Sequence, residues 1–221
     1  MGQDEVFKAF EGDNYFNRNK MDLKQKNLKN DIVLKMINLF NIAPKKVLEL
    51  GCANGYRLNY LQKNLKCQCY GVDCSKMAIA DGQKRYKGVK LSCSGVENLI
   101  FKNGFFDLVI INFLLHWVER KILPCIISEA DRVLKNKGLL IIGDFFPLSP
   151  VKKGYHHLKN GMVYTYKDDY SGMFEGLGYY QNIGRISAEC NSKRILAEVE
   201  YDVRLKTDLL KKDLELEKCK K

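Results

Sequence analysis

No stretch of this chain is apolar for long enough to cross a bilayer. The longest such run, Val109 to Val118, is short and is interrupted by Asn112 and His116. The chain does not open like a secreted protein either, because Met1-Gly-Gln-Asp-Glu5 is acidic and polar where a leader needs a cationic and then an apolar stretch. Val6 stands where N-myristoylation of Gly2 would want Ser or Thr. The eight cysteines form no Cys-x-x-Cys pair, and the three histidines stand at no zinc-ligand spacing from them. No metal is therefore expected, the thiols read as free in a reducing compartment, and the expectation is a cytoplasmic protein without membrane contact. Internal repeats, arginine-rich stripes and runs of five like charges are also missing. The net charge of +11 is mostly lysine mixed with acids and does not mark a nucleic-acid surface. Nothing in the sequence sets an oligomeric state.

What is present fits one α/β domain, since 221 residues suffice to bury a core without staples. The organising stretch is Lys46-Val-Leu-Glu-Leu-Gly-Cys-Ala-Asn-Gly-Tyr56: a buried strand between Pro44 and Gly51, then a small-residue loop, then a helical spacing through Leu58, Leu61 and Leu65. Such a strand-to-helix turn is where an open α/β sheet holds a ligand. A dinucleotide fingerprint would place glycines at positions 51, 53 and 56, but Ala53 and Tyr56 stand at the last two. The actual pattern is Glu49-x-Gly51-x-Ala53-x-Gly55, in which a carboxylate precedes the glycines and suits a cationic ligand better than a phosphate. About twenty residues further on, the next strand signal ends in Asp73, an acid placed to accept both hydroxyls of a ribose.

This ordered pair resembles motif I and the ribose-binding acid of class I S-adenosylmethionine-dependent methyltransferases. The resemblance implies a Rossmann-like doubly wound α/β sheet of about seven strands, mostly parallel with a C-terminal antiparallel hairpin. It also implies S-adenosyl-L-methionine as cofactor, cradled by Glu49, Gly51, Cys52, Ala53, Asn54 and Gly55, with Asp73 and Cys74 at the ribose. Met77 would lie against the adenine, plain core packing being the alternative. The family commonly has Asp-Ala-Glu after the third strand. Here Gly95 takes the aspartate's place, and adenine recognition falls to the Val96 backbone, Ser94 or Glu97. Asn112 and Phe113, at the end of the fourth strand, face the same crevice. Tyr15 and Arg18 match a Tyr-x-x-Arg segment that closes over the cofactor in many members, the arginine on the methionine carboxylate and the tyrosine near the sulfonium. An aromatic cap on the core is the other reading.

In chain order, residues 1–20 are expected to form that lid and Leu23 to Phe40 one amphipathic helix. Cys67 to Asp73 is the second strand, Ser75 the N-cap of a helix reaching Tyr86, and Val89 to Cys93 the third strand. Phe106 to Asn112 is the fourth strand, continued by Phe113-Leu-Leu-His-Trp-Val118. A helix over Arg120 to Leu134 and a fifth strand at Leu139 to Asp144 follow. Residues 145–166 have no clear period and read as a loop covering the acceptor. Asp168 to Leu177 reads as helix, Tyr179 to Ser187 and Ile195 to Leu210 as the final hairpin, and the lysine-rich tail from Lys211 as a frayed end.

Gly12 to Asn19, Tyr155-His-His157 and Tyr164 to Tyr170 look similar to methyltransferases associated with bacterial surface-polysaccharide or sialic-acid-like sugar synthesis. The expected reaction is methyl transfer to a small-molecule acceptor, such as a sugar or nucleotide-sugar hydroxyl, with His156, His157 or His116 as base. The rival readings are an RNA-directed methyltransferase and a non-catalytic cofactor-binding scaffold. The Asn112-Phe-Leu-Leu sequence argues against an enzyme acting on the exocyclic amine of a nucleobase.

Overall fold

A computed structural model describes residues 2–25, 28–158, 163–189 and 204–215. Its first elements form one continuous rod: α1 (Gln3–Val6), a π-helical turn (Phe7–Glu11) and α2 (Gly12–Gln25). A 3-10 turn (Leu28–Asn30) and α3 (Ile32–Leu39) lead to β1 (Lys46–Leu50), α4 (Tyr56–Leu65), β2 (Gln68–Asp73), α5 (Lys76–Arg85), β3 (Lys90–Cys93) and β4 (Phe106–Asn112). After a 3-10 turn (Leu115–Trp117) come α6 (Leu123–Val133), β5 (Leu134–Phe145), the short strands β6 (Val151–Gly154) and β7 (Tyr164–Lys167), and α7 (Tyr170–Glu175). The last strands are β8 (Tyr180–Glu189) and β9 (Arg204–Lys212).

The main sheet runs β3-β2-β1-β4-β5-β9-β8. Its first five strands are parallel, and β9 and β8 are antiparallel additions at one edge, as the sequence implied. Alternation along each strand feeds two cores. Leu48, Leu50, Val109 and Ile111 pack with α6 and α7 on one face, while Val47, Leu108 and Ile110 pack with α3, α4 and α5 on the other. Leu108, Val109 and Ile110 are fully buried, each worth about 1.5–3 kcal/mol.

The structure corrects several boundaries. The expected helix from Leu23 to Phe40 is broken at Asp31, whose carboxylate accepts from Val33 N (3.1 Å) and Leu34 N (3.2 Å) and starts α3 afresh. Strand four does not continue past Asn112, because Phe113 turns to φ +53°, its N–H donates to Gly143 O (2.8 Å), and residues 115–117 coil. Residues 145–166 are not wholly irregular: β6 and β7 pair antiparallel from Val151–Lys167 to Gly154–Tyr164. Lys211 and Lys212 belong to β9 and are not frayed, and buried Lys212 reaches the Asp131 carboxylate at 2.8 Å. The part of the expected Ile195-to-Leu210 strand before residue 204 and the tail beyond Glu215 lie outside the described residues. Among the described residues no helix is long and apolar enough to cross a membrane.

Behind β9, fully buried Asp208 accepts from Arg185 Nε (2.6 Å) and Ser171 Oγ (2.5 Å) and lies 2.9 Å from buried Lys206 Nζ. Burial alone would raise its pKa, but the bonds from Arg185, Ser171 and Lys206 outweigh it and hold the carboxyl below its usual value. A carboxyl depressed in the folded state stabilises above its unfolded pKa, and that stability is lost as pH falls through the folded value. The urea midpoint should therefore drop on acidification below about pH 4. Asp208→Asn should start lower at neutral pH, by about 3–5 kcal/mol, and lose less on acidification. Parallel curves for the two proteins would remove Asp208 from the acid transition.

Candidate functional site: a covered cavity at the carboxyl edge of the sheet

At the end of β1 the chain turns through Gly51 (φ +71°), Ala53 (φ +50°) and Gly55 (φ +76°). Gly55 is required twice over: its left-handed backbone starts α4, and a Cβ there would stand 2.9 Å from Leu91 Cδ2. The turn is pinned to β2 by Gly51 N–H donating to Val72 O (2.8 Å), and by the Asp73 carboxylate, which accepts from Ala53 N (2.8 Å) and Ser75 N (2.9 Å). Burial raises the Asp73 pKa even against those two backbone bonds, and the carboxylate stands half-buried at the cavity wall. Ser75 caps α5 by accepting from Ala78 N (3.0 Å), as its sequence position suggested.

The cavity holds about 380 Å³, a size suited to a small organic molecule. Glu49, Gly51, Cys52, Ala53, Asp73 and Cys74 line one side. Ser94, Gly95, Val96 and Glu97 line another, with Asn112 and Phe113 at the end of β4. Burial pushes the Cys52 thiol well up and Cys74 up to about 12, so both stay protonated and act as small apolar walls. Gly95 has a local explanation: a Cβ there would stand 2.2 Å from a Glu97 carboxylate oxygen. Glu97 thus folds back into the space that a side chain at position 95 would need, and Lys8 pairs with it from above.

The rod from α1 to α2 is the cover. Gln3, buried, donates to Trp117 O (2.5 Å) and Tyr164 O (2.7 Å) and accepts from Tyr164 N (2.8 Å). Asp13 Oδ1 accepts from Ser75 Oγ (2.7 Å) and Met77 N (2.9 Å), which fastens the rod to the start of α5. Tyr15 lines the cavity. Arg18 does not. Its guanidinium donates to Glu11 and to Tyr155 OH, on the side of the rod turned toward residue 155.

Three further residues expected at the cofactor do not line the cavity. Asn54 is buried against Asp81 (2.9 Å), Gly55 serves the turn behind the wall, and Met77 is exposed with its sulfur 3.3 Å from Asn17 Nδ2. None of the three histidines lines the cavity. His116 is buried with Nδ1 2.8 Å from Asp144 Oδ1, off the line of a well-formed hydrogen bond, and its ring packs on Trp117 at 4.7 Å. His156 and His157 are exposed, their rings 3.9 Å apart and leaning on Tyr155. The expected wall from residues 145–166 reaches the site through Tyr155, which packs behind Trp117 at 4.7 Å, and through the Tyr164 backbone.

Sequence reasoning missed Arg57, which is 4% exposed, lines the cavity, grips Asp31 through both nitrogens of a fork (3.1 and 3.0 Å) and also pairs with Glu49. Burial works against its charge, but Glu49, Tyr56 and Asp31 outweigh burial and hold it protonated. No signal marked it, because position 57 reads only as one more residue of an amphipathic helix. Trp117, Phe7 and Leu114 were missed as wall residues for a different reason: they come from elements whose turn geometry was unknown.

The strand order and the glycine turn after β1 are those of a Rossmann-like methyltransferase fold, with a cavity that has Asp73 on its wall at the carboxyl edge of the sheet. Residues 48–142 match the family profile described as a methyltransferase domain. Over 114 residues the chain is 32% identical to the phthiotriol/phenolphthiotriol dimycocerosates methyltransferase of Mycobacterium leprae, covering 50% of this chain and 42% of that one. Over 119 residues it is 27% identical to the malonyl-[acyl-carrier protein] O-methyltransferase of Legionella pneumophila, covering 52% and 41%. The chain thus spans less than half the length of these two curated relatives. Among solved structures it resembles the 1,6-didemethyltoxoflavin-N1-methyltransferase of Burkholderia thailandensis with bound S-adenosylhomocysteine (TM-score 0.70, 11% identity, 96% of this chain and 91% of that one). It also resembles the N-methyltransferase NodS of Bradyrhizobium japonicum with S-adenosylhomocysteine (TM-score 0.61, 15% identity, 83% and 86%). At such identities the structural likeness speaks for the fold.

Proposed function

We propose that this protein transfers a methyl group from S-adenosylmethionine to a small-molecule acceptor. The observation that carries the reading is the covered cavity with Asp73 on its wall, held between the amides of Ala53 and Ser75. Asp73 would hold the ribose, Glu97 and the Val96 backbone the base, and the turn after β1 the amino-acid end. When bound, the cofactor supplies an electrophilic methyl group on a cationic sulfur. The residues' share is to exclude water and align acceptor and methyl group. Calorimetry should give saturable binding of both S-adenosylmethionine and S-adenosylhomocysteine at a single site per chain, and binding of neither would overturn the proposal.

The rod over the cavity favours a small acceptor over a folded RNA. A sugar or nucleotide-sugar hydroxyl, suggested by the flanking motifs, gains no support from the cavity wall, to which no histidine contributes. Deleting residues 1–20 should weaken S-adenosylhomocysteine binding about tenfold or more while lowering ligand-free thermal stability less. Equal losses in the free and bound protein would make the rod part of the core and not a lid.

A further inference from the structure

We infer that the acceptor is an aryl-bearing amine: a flat apolar ring system carrying the nitrogen that receives the methyl group. The inference rests on the methyltransferase reading above and adds the class of acceptor to it.

The first argument is the shape and rigidity of the wall. Trp117 is the hub, with Phe7 at 5.3 Å and Tyr15 at 6.1 Å, and all three rings face the cavity. From behind, Trp117 is braced by His116 and by Tyr155, each at 4.7 Å between ring centroids, and its carbonyl accepts from buried Gln3. A braced set of aromatic faces receives flat rings and cations, since ring faces carry negative potential.

The second is the state of the cavity's polar groups. A buried sugar presents a hydroxyl on nearly every carbon, and each costs free energy unless it finds a partner. Here most of the polar side chains already serve one another, the Asn112 amide oxygen excepted: Arg57 holds Asp31 and Glu49, Lys8 holds Glu97, Ser75 donates to Asp13, and Asn19 donates to the Tyr15 carbonyl. Both cavity cations are thus committed to carboxylates, which leaves neither for the diphosphate of a nucleotide sugar. With Asp73 given to the ribose and Glu49 and Glu97 paired, Asp4 is the carboxylate left on the wall, and its charge suits an amine.

The third is proton chemistry. A hydroxyl acceptor must lose its proton to a base within hydrogen-bond reach. No histidine lines the cavity, burial raises the Tyr15 phenol, and the thiols are held protonated, which leaves the weakly basic wall carboxylates for this task. An amine held as an ammonium first gives up one proton to water or to a wall carboxylate, a far easier transfer than ionising an alcohol, and is then neutral. Its lone pair forms the N–C bond as the methyl carbon–sulfur bond breaks. Sulfur then departs as a neutral thioether, and the new ammonium releases a proton to water.

Trp117 is the only tryptophan of the chain, so its fluorescence reports on this wall directly. With the full-length protein saturated with S-adenosylhomocysteine, whose binding calorimetry checks first, three probes are titrated: 2-phenylethylamine, its hydroxyl counterpart 2-phenylethanol, and UDP-glucose. Trp117→Phe serves as the blank. The amine should quench saturably and bind at least tenfold tighter than the alcohol, with no saturable response to UDP-glucose. An amine without saturable quenching, an alcohol that binds as tightly, or saturable UDP-glucose binding overturns the inference and leaves the methyltransferase reading standing. Absence of S-adenosylhomocysteine binding overturns that reading itself.

Discussion

Asp73→Ala is expected to weaken S-adenosylhomocysteine binding by about a hundredfold or more, the largest effect of any single change at the site. Two charge-assisted hydrogen bonds to a ribose would be lost, at about 1.5–3 kcal/mol each. The substitution also frees the amides of Ala53 and Ser75, which the same carboxylate holds at 2.8 and 2.9 Å, so the turn after β1 loses its tie to β2. Asp73→Asn separates the two roles. One amide oxygen can still accept from the backbone, but the charge that strengthens the ribose bonds is gone. Its affinity should fall between those of the wild type and the alanine variant. Unchanged calorimetric affinity in Asp73→Ala would sink the assignment of the cofactor to this cavity.

Arg57→Ala should be the most destabilising substitution. The guanidinium is enclosed with Asp31 and Glu49 around it, and removing it strands two carboxylates in a low-dielectric pocket. Breaking such a buried pair costs about 3–5 kcal/mol, a large share of the about 5–15 kcal/mol that holds a domain folded. The sign of the pH dependence follows. Without the cation the buried carboxylates favour their protonated form, so the variant binds more protons when folded than when unfolded, and its deficit against the wild type should narrow as pH falls. A urea midpoint equal to that of the wild type at pH 7 would show that the cluster contributes nothing net. The same change loosens the N-cap of α3 and the floor of the cavity together, because Asp31 caps the helix with the oxygen that also accepts from Arg57 Nε.

Much of this architecture was legible before any coordinates. The strand at Val47 to Leu50, the cap at Ser75 and the acid at Asp73 announce themselves through local chemistry: apolar runs, an N-capping hydroxyl, a carboxylate at a strand end. The errors occur where distant partners decide. The apolar spacing of Ile32 to Phe40 continues a helical pattern from Leu23, and only the grip of Arg57 on Asp31 shows why the chain caps and restarts there. The run from Phe113 to Val118 is apolar enough for strand, but the left-handed turn at Phe113 ends the ladder. Arg18 carried the right residue type for a carboxylate, yet Glu11, seven residues earlier, claims it. The histidines looked catalytic by residue type alone, and what places them is packing: His116 on Trp117, His156 and His157 on the surface.

The first residues of the rod that closes the cavity find one of their partners late. A ribosome delivers Gln3 before any of its partners exist, and the Tyr164 backbone that receives it lies 161 residues downstream. At about 5–20 residues per second, that segment waits roughly 8–30 seconds in the exit tunnel's vicinity and beyond for its seat. During that interval β1, β2 and β4 can assemble and the rod can take its earlier holds on Ser75, Glu97 and Trp117, while the tie through Gln3 closes only as the β6–β7 hairpin emerges.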